Sequence, residues 1–153
     1  MIKKIHNSTS LGFTLIEILL SVALITLIMG FSVPFYSSLQ SKNSLSVSAS
    51  ALTQSLREAK LRSQAVDGDS PWGVYVEIES IILFQGATYA TRNPGYDQTF
   101  DLPQGIVPTG LNEVVFTKLE GQPSQIGSIT LTHSNGPTVD LTINEKGMVY
   151  QPI

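Results

Sequence analysis

Hydrophobic residues are arranged along this chain in three successive ways. From Phe13 to Val33 they run almost without interruption and without a period, broken by one ionisable side chain, Glu17. At ~1.5 Å rise per residue a helix of that length spans about 30 Å, the hydrocarbon thickness of a bilayer, so the run reads as a membrane span over 13–35. From Leu45 the apolar positions become periodic: Leu45, Ala49, Leu52, Leu56, Ala59 and Val66, with Ser63 in the remaining slot, alternate in steps of four and three. That spacing marks one face of a helix, to be packed on a sheet. Between the two lies a serine-rich stretch with Lys42 and Asn43, too hydrophilic for lipid. The pattern predicts one long helix over Phe13–Val66, anchor in its first half and scaffold in its second (36–66). Pro34 removes a helical hydrogen bond, which places a kink near Gly30 and Pro34. Gly68, inside Asp67-Gly68-Asp69, is the expected stop.

Beyond Gly68 the period falls to two, the spacing of strands. In Trp72–Glu79, Trp72, Val74, Val76 and Ile78 point one way and Tyr75, Glu77 and Glu79 the other. Ile81–Gln85 is the expected hairpin partner across Glu79-Ser80. Gly86–Asp101 lacks a period and carries the turn residues Arg92-Asn93-Pro94-Gly95, so it reads as a surface loop. Further strands are expected at Glu113–Lys118, Gly127–Thr132, Thr138–Ile143 and Met148–Tyr150. The second and third flank Ser134-Asn135-Gly136-Pro137, with Ile129 and Leu131 facing Val139, Leu141 and Ile143. The fold class is α+β, with an antiparallel sheet or two small sheets against one helix and a β-rich domain over 67–153.

Charge and composition sharpen the ends of this picture. The twelve residues before Phe13 carry Lys3 and Lys4, which by the positive-inside bias places this end in the cytoplasm and the rest outside. A small-residue cleavage site of the secretory kind is not found near Gly30–Ser38. The polar-to-apolar junction falls at Gly12-Phe13 instead. There is no cysteine, so the exported domain depends on packing rather than disulfides, and lipid attachment at a cysteine is excluded. Net charge is −3 for the whole chain. Without Lys3 and Lys4, the remainder is more acidic still, a poor general attractor of nucleic acid.

Gly12 followed by Phe13-Thr14-Leu15-Ile16-Glu17, behind a short basic leader, resembles the processing motif of type IV prepilins and type II secretion pseudopilins. The resemblance implies that residues 1–12 are a leader removed by a prepilin peptidase and methyltransferase, which cuts after Gly12 and N-methylates Phe13. It implies that Glu17, the one charge in the span, neutralises the N-terminal amine of a neighbouring subunit during assembly. The subunit would then anchor in membrane lipid, meet an inner-membrane assembly platform, and join other pilins or pseudopilins in a helical filament. A helix such as Leu52–Val66, the Trp72-Gly73 strand and the late turn Gly147-Met148-Val149 are similar to the H-type pseudopilin and FimT-like minor pilin group. A carboxylate in a span also has a plainer reading, an acid at a helix end that snorkels to the headgroups.

Enzyme chemistry finds no constellation here. The histidines are His6, in the leader, and His133, beside a turn; neither a nucleophile motif nor a phosphate-cradling loop is present. No cofactor is expected. Asp67 and Asp69, with Asp97 or Asp101, are weighed as calcium ligands, but the spacing of a calcium loop is missing and a solvated helix stop accounts for the first two. Trp72 is expected in the core or at a sheet edge. The alternative function is that of a FimT-like minor pilin binding DNA for uptake, a role of some members of that group, or recognising cargo at a filament tip. The candidate DNA contacts are Arg57, Lys60 and Arg62 on the helix and Lys146 at the C-terminal turn, few for a phosphate surface.

Overall fold

The structure, a computed structural model, describes residues 12–151, and of 31–37 the backbone alone. One α-helix, α1 (Leu15–Gln64), is followed by eight strands: β1 (Trp72–Glu77), β2 (Ser80–Gln85), β3 (Gln98–Asp101), β4 (Ile106–Gly110), β5 (Glu113–Phe116), β6 (Gly127–His133), β7 (Thr138–Ile143) and β8 (Val149–Tyr150). The strands form two antiparallel four-stranded sheets, ordered β3-β2-β1-β5 and β4-β6-β7-β8. By its internal contacts the chain divides into two units, Met1–Ser37 and Ser38–Ile153.

In the first unit the chain stays helical through Gly30 and Pro34. The bend expected there adjoins 31–37, outside the described side chains. Among the described residues no helix is long and apolar enough to cross a membrane. The apolar part of α1 whose side chains are described, Leu15–Gly30, rises about 24 Å at ~1.5 Å per residue; the rest of the expected span runs into 31–37.

In the second unit the helical face read from the spacing is the core face. Leu52, Leu56, Ala59 and Ser63 are fully buried, and Leu45 and Ala49 nearly so. They pack with Trp72, Val74, Val76, Ile81 and Leu83 of the first sheet and Ile129, Leu131, Leu141 and Ile143 of the second. Serines share this face: Ser41, Ser48 and Ser55 are buried between the apolar residues. Ser48 and Ser55 donate their hydroxyls to Ser44 O (2.8 Å) and Ala51 O (2.9 Å), so neither small side chain is left unpaired. Ser63 does more. Its hydroxyl accepts from Trp72 N at 2.8 Å, tying the last turn of α1 to the first residue of β1.

Three expectations need correcting. Val66 does not end the helical face: α1 stops at Gln64, and Val66 turns into the left-handed region at φ 56°. Gly68, the expected stop, lies in the turn beyond the helix end at φ 65°, where a Cβ would lie 2.0 Å from Gln85 Nε2. Ile78 is not on the buried face of β1. The strand ends at Glu77, paired with Ser80, and Ile78 is 67% exposed in the two-residue turn with Glu79 at φ 81°. Nor is Gly86–Asp101 a plain surface loop. It forms two short 3-10 turns, Tyr89–Thr91 and Pro94–Tyr96, and then β3, which adds an edge strand to β2.

That segment explains why every residue of β2 is buried. Ile81 and Leu83 face α1, while Ile82, Phe84 and Val115 form a second small core with Tyr75 and Tyr89 on the opposite side. The rings of Tyr75 and Tyr89 stack at 3.9 Å, and the Arg92 guanidinium lies 3.7 Å over Tyr89. Arg92 Nε donates to Asp97 Oδ2 at 2.7 Å, closing the roof. β4 was not expected at all; the hairpin of β6 and β7 is as read, with Ile129 opposite Leu141 and Leu131 opposite Val139.

The end of α1 is also capped from a distance. The tip after β5 sends Leu119 N–H to Ser63 O (3.2 Å), Glu120 O accepts from Gln64 Nε2 (3.3 Å), and Lys118 Nζ reaches Asp69 Oδ1 (2.8 Å). To do this the backbone folds into a γ-turn: Leu119 has φ 67° and Glu120 N–H returns to Lys118 O at 2.8 Å. A γ-turn of this sign is rare and strained, at about 1–3 kcal/mol.

Candidate functional site

The residues that carry the processing resemblance begin α1. Thr14 O accepts from Glu17 N (3.1 Å) and Ile18 N (3.2 Å), and Thr14 Oγ1 also accepts from Glu17 N (3.4 Å). Thr14 is therefore the N-cap and Glu17 stands at the third helical position, the Thr-x-x-Glu order of a capping box. This acid next to the positive end of the helix is worth about 0.3–1 kcal/mol to the helix. The Thr14–Glu17 spacing is itself a signal in the sequence, lying inside the apolar run. Phe13 is 79% exposed and Glu17 is exposed as well.

Among the described residues nothing requires glycine at position 12. Its φ lies outside the left-handed region and an added Cβ would meet no atom within 4 Å. The same holds for Gly30, where glycine inside a helix costs about 1 kcal/mol relative to alanine. Around these glycines the large apolar side chains from Phe13 to Met29 are all at least half exposed. With about 100° between successive residues, they cover the whole circumference of the helix.

The four basic candidates fall into two arrangements. Lys60 Nζ donates to Lys146 O at 2.6 Å, bringing the helix and the C-terminal turn together. Arg62 pairs with Glu58 and lies 4.5 Å over the ring of Trp72. Arg57 lines a groove with Thr53, Gln54, Glu58 and Leu61, so an acid sits among these bases. Trp72 itself is 1% exposed and donates its indole N–H to Asp67 O at 2.9 Å, a core residue as expected.

The acidic candidates do not converge. Asp69 pairs with Lys118, whose hydrogen bond and charge hold the carboxyl below the ordinary carboxylate range. Asp97 pairs with Arg92, and its second oxygen, Oδ1, is buried without a partner. Among the described residues no group of three or more His, Asp or Glu is placed to hold a metal ion. His133 Nδ1 accepts from Asn135 N at 3.1 Å, a turn contact; His6 lies outside the described residues. The tyrosine–arginine stack over the first sheet was missed in the sequence, because its members are separated by fourteen and three residues in a stretch without a period.

These features define an α+β protein: a helix whose first part is apolar on every side, and whose second part is the spine of a body with two antiparallel sheets. A search of known protein families, of curated proteins and of solved structures finds no match for this chain.

Proposed function

We propose that this protein is a structural subunit of a pilin-like filament, a minor pilin of a type IV pilus or a pseudopilin of a type II secretion pseudopilus. The observation that carries the reading is the exposure of apolar side chains around the whole circumference of α1 between Phe13 and Met29. Such a surface is stable in lipid or among like helices and not in water. In this reading the leader stays on the cytoplasmic side, the helix anchors the subunit in the membrane, and the β body lies outside. The peptide bond after Gly12 is hydrolysed, and the new amine at Phe13 takes a methyl group. Glycine at position 12, which no described residue requires, is then there for the peptidase. The Glu17 carboxylate pairs with the Phe13 amine of a neighbour, while the apolar faces pack together.

The test is the mass of the N-terminal peptide from membrane-associated protein, with and without the host's prepilin peptidase. A mature chain that starts at Phe13 with one added methyl, and keeps its leader when the peptidase is deleted, supports the reading. Retention of Met1 or Ile2 in the wild type overturns it. Glu17→Gln separates the two roles of the acid: the helix cap tolerates it, whereas incorporation into filaments is lost.

A further inference from the structure

The turn Ser134-Asn135-Gly136-Pro137 joins β6 to β7, and its asparagine–glycine pair carries chemistry of its own. Asparagine is among the thermolabile residues, because the next backbone nitrogen can attack its Cγ, and glycine, without a Cβ, obstructs that attack least. The other asparagines among the described residues are followed by serine, proline or glutamate. At the β6–β7 turn both residues are exposed, and a Cβ built on Gly136 meets no atom within 4 Å. Three hydrogen bonds nevertheless hold the pair out of the attacking geometry. Asn135 Nδ2 donates to Ser41 Oγ at 3.1 Å, Asn135 N donates to His133 Nδ1 at 3.1 Å, and Gly136 N, the nucleophile, donates to His133 O at 2.8 Å. The first of these holds the amide that would be attacked, and it holds it on α1, ninety-four residues away in the chain.

We propose that Asn135 is a deamidation site gated by its contact with Ser41. When the turn opens locally, Gly136 N bonds to Asn135 Cγ and gives its proton to solvent, the Cγ–Nδ2 bond breaks, and ammonia leaves. Water then opens the cyclic imide at one carbonyl or the other, giving aspartate or isoaspartate with no change of oxidation state. Either product replaces the amide donor to Ser41 by a negative charge, and isoaspartate also lengthens the main chain within the turn. The clasp between the second sheet and α1 at Ser41 is then released irreversibly. The chemistry needs no partner and stands whether or not Gly12 is cut. To test it, full-length protein in detergent is held at mildly alkaline pH, and the peptide containing residue 135 is followed by mass spectrometry for the exchange of ammonia for water. Ser41→Ala is expected to convert about fivefold faster than the wild type, the ratio that corresponds to one net hydrogen bond of about 1 kcal/mol. The chain unfolded in urea converts faster still. Ser48→Ala, which removes a buried hydroxyl from the same helical face and bonds only within α1, is expected to leave the rate unchanged. Equal rates in Ser41→Ala and the wild type, a rise with Ser48→Ala as large as with Ser41→Ala, or a wild-type rate equal to that of the unfolded chain overturns the gate. No conversion at residue 135 in folded wild type and Ser41→Ala, while the unfolded chain converts, overturns the site.

Discussion

The two parts of α1 obey the same backbone geometry and opposite surface rules. Between Leu15 and Gly30 the apolar side chains face every direction, and the hydroxyls of Ser21 and Thr26 are returned to the helix's own carbonyls. Between Leu45 and Ser63 one face is buried against two sheets, small serines let it come close, and the other face is wet. In the second part, stability comes from burial within the chain itself. In the first there is no internal burial to lose, so residue identity there answers to an environment outside the chain. A single substitution type should therefore have opposite readouts in the two parts.

The largest expected effect is in the buried part. Leu52→Ala or Leu56→Ala, both fully buried, should cost about 2–5 kcal/mol. Leu20→Ala, 66% exposed, should leave unfolding of the body unchanged. Urea titration in detergent, followed by the emission of Trp72, the one tryptophan and itself buried, measures both. Equal losses at Leu20 and Leu52 would erase the contrast.

Next come the joints where α1 hands over to the sheets. Gly68→Ala forces a Cβ onto Gln85 Nε2 in a left-handed backbone and should cost at least about 1–2 kcal/mol. Ser63→Ala leaves the buried N–H of Trp72 without its acceptor and should cost about 1–3 kcal/mol. Gly30→Ala is the counterpart in the first part: with open space around it, about 1 kcal/mol of helix stabilisation is expected, read by helical content in micelles. Loss of filament incorporation by the same variant would show that a neighbour approaches at that point.

The smallest effects are in pH. The Lys118 partner depresses the pKa of Asp69, so its stabilising contribution is present above the ordinary carboxylate range and is lost as pH falls through the lowered value. Lys118→Ala should flatten that acid limb slightly and leave neutral stability nearly unchanged, since the pair is exposed. Burial raises the Tyr89 hydroxyl, against the opposing charge of Arg92. Its contribution is complete below the usual tyrosine value and is lost as pH rises through the raised one, a slope that Tyr89→Phe should remove.

Much of the fold was legible because period reports burial. The four-three spacing from Leu45 found the core face, and strict alternation found β6 and β7 within a residue of their ends. The misses have physical causes. β3, Gln98-Thr99-Phe100-Asp101, is an edge strand with one apolar residue and no alternation to detect. β4 contains Pro108, which removes a ladder donor and is tolerated because β4 lies at the edge of its sheet. Ile78 kept the alternation of β1 but fell in its turn. At the candidate site, Gly12, Phe13 and Glu17 were readable as a motif, whereas the meeting of Lys60 with the Lys146 carbonyl joins residues eighty-six positions apart and waits on the fold between them.

The amino-acid sequence by itself determined which stretches seek an apolar environment and with what period, because that information is local: an unbroken run before residue 34, one helical face after residue 44, and strands beyond Gly68. Only the tertiary structure decided what those surfaces meet. It placed 86–101 as a roof over the second face of β2 and made Ser63 a joint between α1 and β1. It bent Leu119 into a strained turn to cap the helix. Each of these depends on groups brought together from distant parts of the chain, and a contact of that kind leaves no period behind it.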